Sequence, residues 1–200
     1  MEPKAYIAAV DTALLPLAND DHAKVMSAYL KGQFPFLGIP APKRRQAVKL
    51  IGINKWDSSK LFEVVDLLWQ RPEREYRYTA IDLLRRHARV IQVTKLPHLH
   101  RLILTDSWWE TVDGLAGVVS AMFHPCYNTD GHYAKVAMDE WIAHNNFWSQ
   151  RVAMLHQLGW RMHTNSDRLF SYAKLLAHEK EFFLRKAIGW ALRDYARWNP

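Results

Sequence analysis

Apolar side chains recur every three or four residues along almost the whole chain, and two-residue alternation is nearly absent. That pattern predicts helices and argues against strands. The first stripe, Ile7, Val10, Leu14 and Leu15, predicts a helix from Lys4 to Leu15 that Pro16 stops. Asn19-Asp20-Asp21 supplies a cap for a second helix reaching Lys31, with Val25, Met26, Tyr29 and Leu30 turned inward. The apolar run from Phe34 to Pro42, broken by Pro and Gly, reads as a loop. Pro42 opens the next helix, which carries Ala47, Val48, Leu50 and Ile51. Asp57 or Ser58 caps a helix to Trp69. Pro72 starts another with Tyr76, Ala80, Leu83 and Leu84 inward, ending in Arg85-Arg86-His87. Pro97 to Leu104 is a short helix, and Thr105-Asp106-Ser107 breaks it and caps its successor. His124 to His132 reads as a loop. Further helices are predicted over Tyr133–His144, Trp148–Trp160, Asp167–His178 and Phe182–Trp198, the third of them capped by Asn165 or Ser166.

A repeat lies over these helices. Ala47, Ala80, Ala116, Ala153 and Ala187 recur at a spacing of roughly 35 residues, at equivalent points of successive inward-facing helices. A small residue there lets neighbouring helices approach closely. One helix pair cannot bury its apolar face alone, so the pairs must stack. The expected fold is all-α, an α-solenoid in which the second helix of each pair lines a concave surface. The period suits tetratricopeptide repeats too, but their Trp-Leu-Gly-Tyr pattern is missing, which favours HEAT-like repeats. The whole of 1–200 is expected to be a single domain of this kind.

Composition narrows the partner more than the fold. Of 200 residues 49% are hydrophobic and 24% charged, an ordinary globular balance. No apolar run approaches a membrane span, and Met1-Glu2-Pro3-Lys4 does not open a signal peptide. The single Cys126 cannot form an internal disulfide, and it points to a reducing, cytoplasmic compartment. A net charge of +7 favours a polyanionic partner.

Candidate chemistry centres on Ser107-Trp108-Trp109-Glu110-Thr111-Val112-Asp113. Trp109 and Asp113 are four apart on a helix and therefore share a face. An indole plane beside a carboxylate suits a cation, through the ring quadrupole and through charge. Spacing alone favours the plainer reading of a core Trp and a solvated Asp, since most Trp are mainly buried. The other second helices bring Arg44 and Arg45, then Arg74 and Arg77, then Trp148 and Arg151, then Arg185, Lys186, Trp190 and Arg193. Cations recurring on one lining would grip phosphates without reading sequence.

Four stretches carry a resemblance. They are Phe34-Pro-Phe-Leu-Gly-Ile-Pro-Ala-Pro-Lys-Arg-Arg, Ser107-Trp-Trp-Glu-Thr-Val-Asp, Trp148-Ser-Gln-Arg-Val-Ala and Glu181-Phe-Phe-Leu-Arg-Lys-Ala-Ile-Gly-Trp-Ala-Leu-Arg-Asp-Tyr-Ala. In this order and spacing the chain resembles the AlkD family, bacterial DNA alkylation repair glycosylases built from HEAT-like repeats. The resemblance implies hydrolysis of the N-glycosidic bond of N3- and N7-alkylated purines in double-stranded DNA, without drawing the base into a pocket and without a cofactor. It implies that Asp113 is the catalytic carboxylate, that Trp109 and Trp190 pack against the damaged nucleotide's deoxyribose, and that Arg151 lies near the lesion. Tyr29 matches a groove aromatic of the family. Arg44, Arg45, Trp148, Lys186 and Arg193 complete the expected DNA-binding set. Family members usually continue beyond the point where Trp198-Asn199-Pro200 ends this chain, so a C-terminal truncation is expected. Pro40 and Ala41 stand where relatives often carry polar residues, which weakens the expected grip there.

The chemistry stands on the residues too. A 7-alkyl or 3-alkyl purine is already cationic and leaves readily, so one carboxylate suffices to steady the sugar and position water. Other signals are weaker. His98 and His100 diverge on their helix, and His124, Cys126 and His132 lack zinc spacing, so no metal is expected. Phe182 and Phe183 read as core anchors. The competing readings are a non-catalytic HEAT-repeat binder of damaged DNA and a protein-interaction scaffold. Asp113 argues against both, because a carboxylate repels phosphate. A monomer is expected.

Overall fold

The computed structural model describes residues 1–51, 56–125 and 131–199. Among them are eleven α-helices, short 3-10 turns and no strand, as the periodicity requires. The chain divides into two compact units, Met1–Arg86 and His87–Pro200. None of the described helices is long and apolar enough to cross a membrane.

The first unit is built from α1 (Pro3–Leu14), α2 (Asp20–Tyr29), α3 (Ala41–Lys49), α4 (Ser58–Trp69) and α5 (Arg74–His87). Helix starts follow capping chemistry. The Asn19 side chain accepts from the His22 N–H and Asp57 from the Lys60 N–H, while Pro3 and Pro42 occupy first turns, where a missing N–H costs nothing. Helix α1, which buries Tyr6, Val10 and Leu14, packs on α4, which buries Leu61, Val64, Val65 and Leu68. Each such aliphatic side chain contributes roughly 1.5–3 kcal/mol when fully buried. Pro16 stops α1 as expected, but the chain tightens into a 3-10 turn and leaves Leu15 exposed. Val25 and Tyr29, expected inside, are 70% and 72% exposed, and of that stripe only Leu30 is fully buried. Periodicity identifies which residues share a face but not whether anything covers it.

The loop before α3 is held by a buried carboxylate. Glu75, fully buried on α5, accepts the backbone N–H groups of Leu37, Gly38 and Ile39 at 3.0, 2.9 and 3.0 Å. Gly38 sits at φ +82°, and a Cβ there would meet the Asn19 carbonyl oxygen at 2.0 Å. Only glycine fits.

The second unit contains α6 (Leu96–Leu104), α7 (Trp109–Phe123), α8 (Gly131–Ile142), α9 (Phe147–Leu155), α10 (Ser166–Leu175) and α11 (Phe182–Ala196). They form successive pairs, α6/α7, α8/α9 and α10/α11, and the second helices pack side by side, α7 on α9 and α9 on α11. Ala116, Ala153 and Ala187 lie buried on those three helices, 3%, 0% and 0% exposed. This is the HEAT-like stacking that the alanine repeat predicts. Helix α9 touches α6, α7, α8, α10 and α11, and its run from Arg151 to Leu155 is buried on every side. The loop expected over His124–His132 is shorter at its far end, since α8 begins at Gly131. Cys126 lies outside the described residues.

Candidate active site

Three helices meet at Arg151. Helix α7 opens at Trp108, whose carbonyl accepts the Val112 N–H and the Thr111 hydroxyl. Ser107 does not cap it; its hydroxyl bonds back to the Ile103 carbonyl and closes α6 instead. Trp109 follows in the first turn of α7 and Asp113 one turn later. Helix α9 is capped by the Asn146 side chain, which accepts the Trp148 N–H, and α11 by Glu181, which accepts the Phe183 N–H.

Arg151 projects from α9 and donates twice to Asp113, Nε to Oδ1 at 2.7 Å and a terminal nitrogen to Oδ2 at 2.8 Å. Its other terminal nitrogen donates to the Phe183 carbonyl on α11. The guanidinium is therefore anchored from two sides. It is 5% exposed, whereas the Asp113 side chain is 18% exposed. The fork occupies one side of each carboxylate oxygen and leaves lone pairs for a ligand or water. Behind this pair lies an aromatic layer. The Phe183 ring meets Trp108 edge-on at 5.4 Å and Trp148 at 5.0 Å, and Phe147 packs on Trp148 at 4.5 Å. Aromatic walls exclude water from one side of the pair and strengthen its electrostatics.

A family model described as DNA alkylation repair enzyme matches residues 10–200. The chain belongs to this family. A solved structure of a predicted DNA alkylation repair enzyme from Enterococcus faecalis is similar, with a TM-score of 0.80 and 32% sequence identity over 92% of this chain and 85% of that one. No curated protein matches. The all-α fold read from the periodicity is thus that of the DNA alkylation repair enzymes.

Within this member of the family the structure sorts the expected site residues. Asp113 and Arg151 are brought together. Trp109 is half-buried on the turn before Asp113. Trp190 is 44% exposed on α11, the helix that contributes the Phe183 carbonyl. Phe182, Lys186, Trp190 and Arg193 follow at helical spacing on the exposed side of α11. The Lys186 ammonium stands 5.5 Å from the Phe182 ring, and Phe182 is 61% exposed rather than a core anchor. In the first unit Tyr29 is exposed, and Arg45 is exposed with one bond to Asp82 at 3.1 Å.

Two expected contacts are corrected. Arg44 is 2% exposed, and it donates to Asp82 at 2.7 Å and to the Thr79 hydroxyl at 3.1 Å, so its charge is spent inside the first unit. Trp148 is 6% exposed and belongs to the aromatic layer. Arg74 and Arg77, also read as lining cations, are buried, the first 3.7 Å over the Phe34 ring and the second donating to the Trp69 carbonyl. A signal was available. Arg44 precedes Val48 by four residues, Arg77 precedes Ile81 and Trp148 precedes Val152, so each falls on an apolar stripe. The Phe183 carbonyl left no trace in the sequence, since every residue carries one.

Proposed function

We infer that the chain is a monofunctional DNA glycosylase that hydrolyses the N-glycosidic bond of cationic N3- and N7-alkylated purines in double-stranded DNA. The observation that supports this best is the Asp113 carboxylate, partly open to solvent and held by the Nε and one terminal nitrogen of a buried guanidinium. As the purine departs, positive charge grows on the deoxyribose. A carboxylate about 4 Å away attracts a unit charge by roughly 4 kcal/mol at an effective dielectric of about 20. A guanidinium twice as far repels it by roughly half as much. The pair is neutral as a whole yet still favours the cation on its carboxylate side. Asp113 also has lone pairs left to orient the attacking water. Trp109 and Trp190 supply indole faces that favour the sugar cation and exclude bulk water. Tyr29, Arg45, Lys186 and Arg193 take the flanking backbone. The base leaves as the neutral purine, and an abasic site remains without a cofactor.

The test is release of 7-methylguanine and 3-methyladenine from methylated duplex DNA. The parent releases both, and Asp113→Asn loses at least a hundredfold while its binding to undamaged duplex stays within a few-fold. Equal release by the two proteins, or none by a folded parent, overturns the reading. A neutral lesion lacks the built-in charge, so uracil-containing duplex is a poor substrate; uracil release at the rate of 7-methylguanine would contradict the leaving-group argument.

A further inference from the structure

The far end of the second unit holds a cavity of about 290 Å³ that the reaction above does not use. It lies where α7 and α9 end and α8 and α10 begin. Phe123, on its wall, is ten residues beyond Asp113 on α7, about 15 Å of helix rise. Its lining is mainly apolar, with Phe123 and Trp160 as aromatic walls and His156, Gln157 and Asn165 among the few polar groups. Trp160 is 8% exposed and its indole N–H donates to Ser120, at 2.9 Å to the hydroxyl and 3.2 Å to the carbonyl, so the ring is fixed. His156, 4% exposed, meets Trp160 edge-on at 5.6 Å.

The tautomer of His156 follows from its contacts. Nδ1 lies against the Ala153 carbonyl, which can only accept, so Nδ1 carries the proton. Nε2 is then an acceptor, and it has no hydrogen-bond partner among the described residues. Burial pulls the ring's pKa down to about 4, so this tautomer persists at neutral pH. The Gln157 amide is fixed beside it by a reciprocal pair, donating to the Asn165 carbonyl at 3.3 Å and accepting the Asn165 N–H at 2.7 Å. Two aromatic walls, one unengaged acceptor and an oriented amide specify a flat ligand with an N–H on its edge. The volume sits at the small end of ligand pockets, which start at roughly 300 Å³, and suits a fused two-ring system better than a drug-sized molecule.

We propose that this cavity is a binding site for a free purine-class heterocycle, stacked on Trp160 and Phe123 and donating an edge N–H to His156 Nε2. Lys135 lines the cavity from α8, so the phosphate of a nucleotide is the competing source of affinity, and the experiment separates the two. The proposal does not rest on the reaction assigned to Asp113.

Calorimetric titration of the full chain with adenine and with 7-methylguanine tests it, beside ribose 5-phosphate and 1,3,7-trimethylxanthine, a purine without an N–H donor. Both N–H-bearing bases bind the parent, and His156→Phe weakens them at least tenfold while keeping the ring volume. Ala134→Leu, which fills the cavity from α8, does the same and decides the matter if the His156 variant does not fold. Asp113→Asn binds both bases as the parent does, so failure of this site and failure of the glycosylase reading are distinguishable. Absence of binding by the N–H-bearing bases, equal binding of trimethylxanthine, or binding of ribose 5-phosphate alone overturns the proposal.

Discussion

At the scale of single residues, the two halves of the Asp113–Arg151 pair are not equivalent. The carboxylate reaches solvent and can rehydrate when its partner is removed, whereas the guanidinium, 5% exposed, cannot. Stranding a buried charge costs roughly 3–5 kcal/mol. We therefore expect Asp113→Asn to destabilise the protein by about 3 kcal/mol and Arg151→Met by less, measured as urea midpoints at constant slope. The reverse order would mean that Arg151 is held mainly by the Phe183 carbonyl and its packing. That Asp113 and Trp109 share a face of α7 is legible in the sequence, because an i, i+4 pair on a helix needs no tertiary information. Residue type points Arg44 and Trp148 to a groove surface, whereas their positions bury them. Each sits on an apolar stripe, and the partners that make its burial tolerable, Asp82 and Phe183, lie more than thirty residues away.

Elements were legible where their ends carry local chemistry. The caps at Asn19, Asp57 and Asn165 rest on side chains reaching N–H groups three residues on, a relation that the sequence contains. The break before α7 was legible but its chemistry was not, because a serine hydroxyl can turn to the helix behind it as readily as to the one ahead. The loop before α3 depends on Glu75, and spacing says nothing about a carboxylate accepting N–H groups nearly forty residues away. Glu75→Gln replaces one acceptor oxygen with an amide nitrogen that can only donate, so at least one of the three N–H groups is left facing a donor. An unmet buried donor costs roughly 1–3 kcal/mol. We expect a loss of about 2 kcal/mol in stability and faster hydrogen exchange at Leu37, Gly38 and Ile39 than elsewhere in the first unit. Uniform protection with unchanged stability would assign the loop's order to Gly38 and the prolines instead.

Over the whole molecule, buried titratable groups make stability fall with acid in two stages. His156 is the chief member of the first. Burial lowers its pKa to about 4, from about 6.5 in the unfolded chain. Between those values the unfolded state binds a proton that the folded state refuses, so stability rises with pH and is lost as pH falls from about 6.5 towards 4. The slope is about 1.4 kcal/mol per pH unit for one such group. His100 is lowered in the same direction by burial and by His144, and His124 by burial and by its neighbours His163 and Arg89, so both steepen this stage. Asp82 belongs to the second stage. Burial pushes its carboxyl up, but Arg44 and Arg45 together outweigh that and hold it below the usual range. Its contribution is complete above the unfolded value of about 3.9 and disappears only as pH falls further. Unfolding free energies measured across pH 7 to 3.5 should therefore drop first through the histidine window. His156→Gln should flatten that window by close to one proton's slope and leave the lower stage in place. An unchanged slope in the variant would mean that protonated His156 is accommodated in the fold, with its Nε2 finding an acceptor in the cavity that it lines.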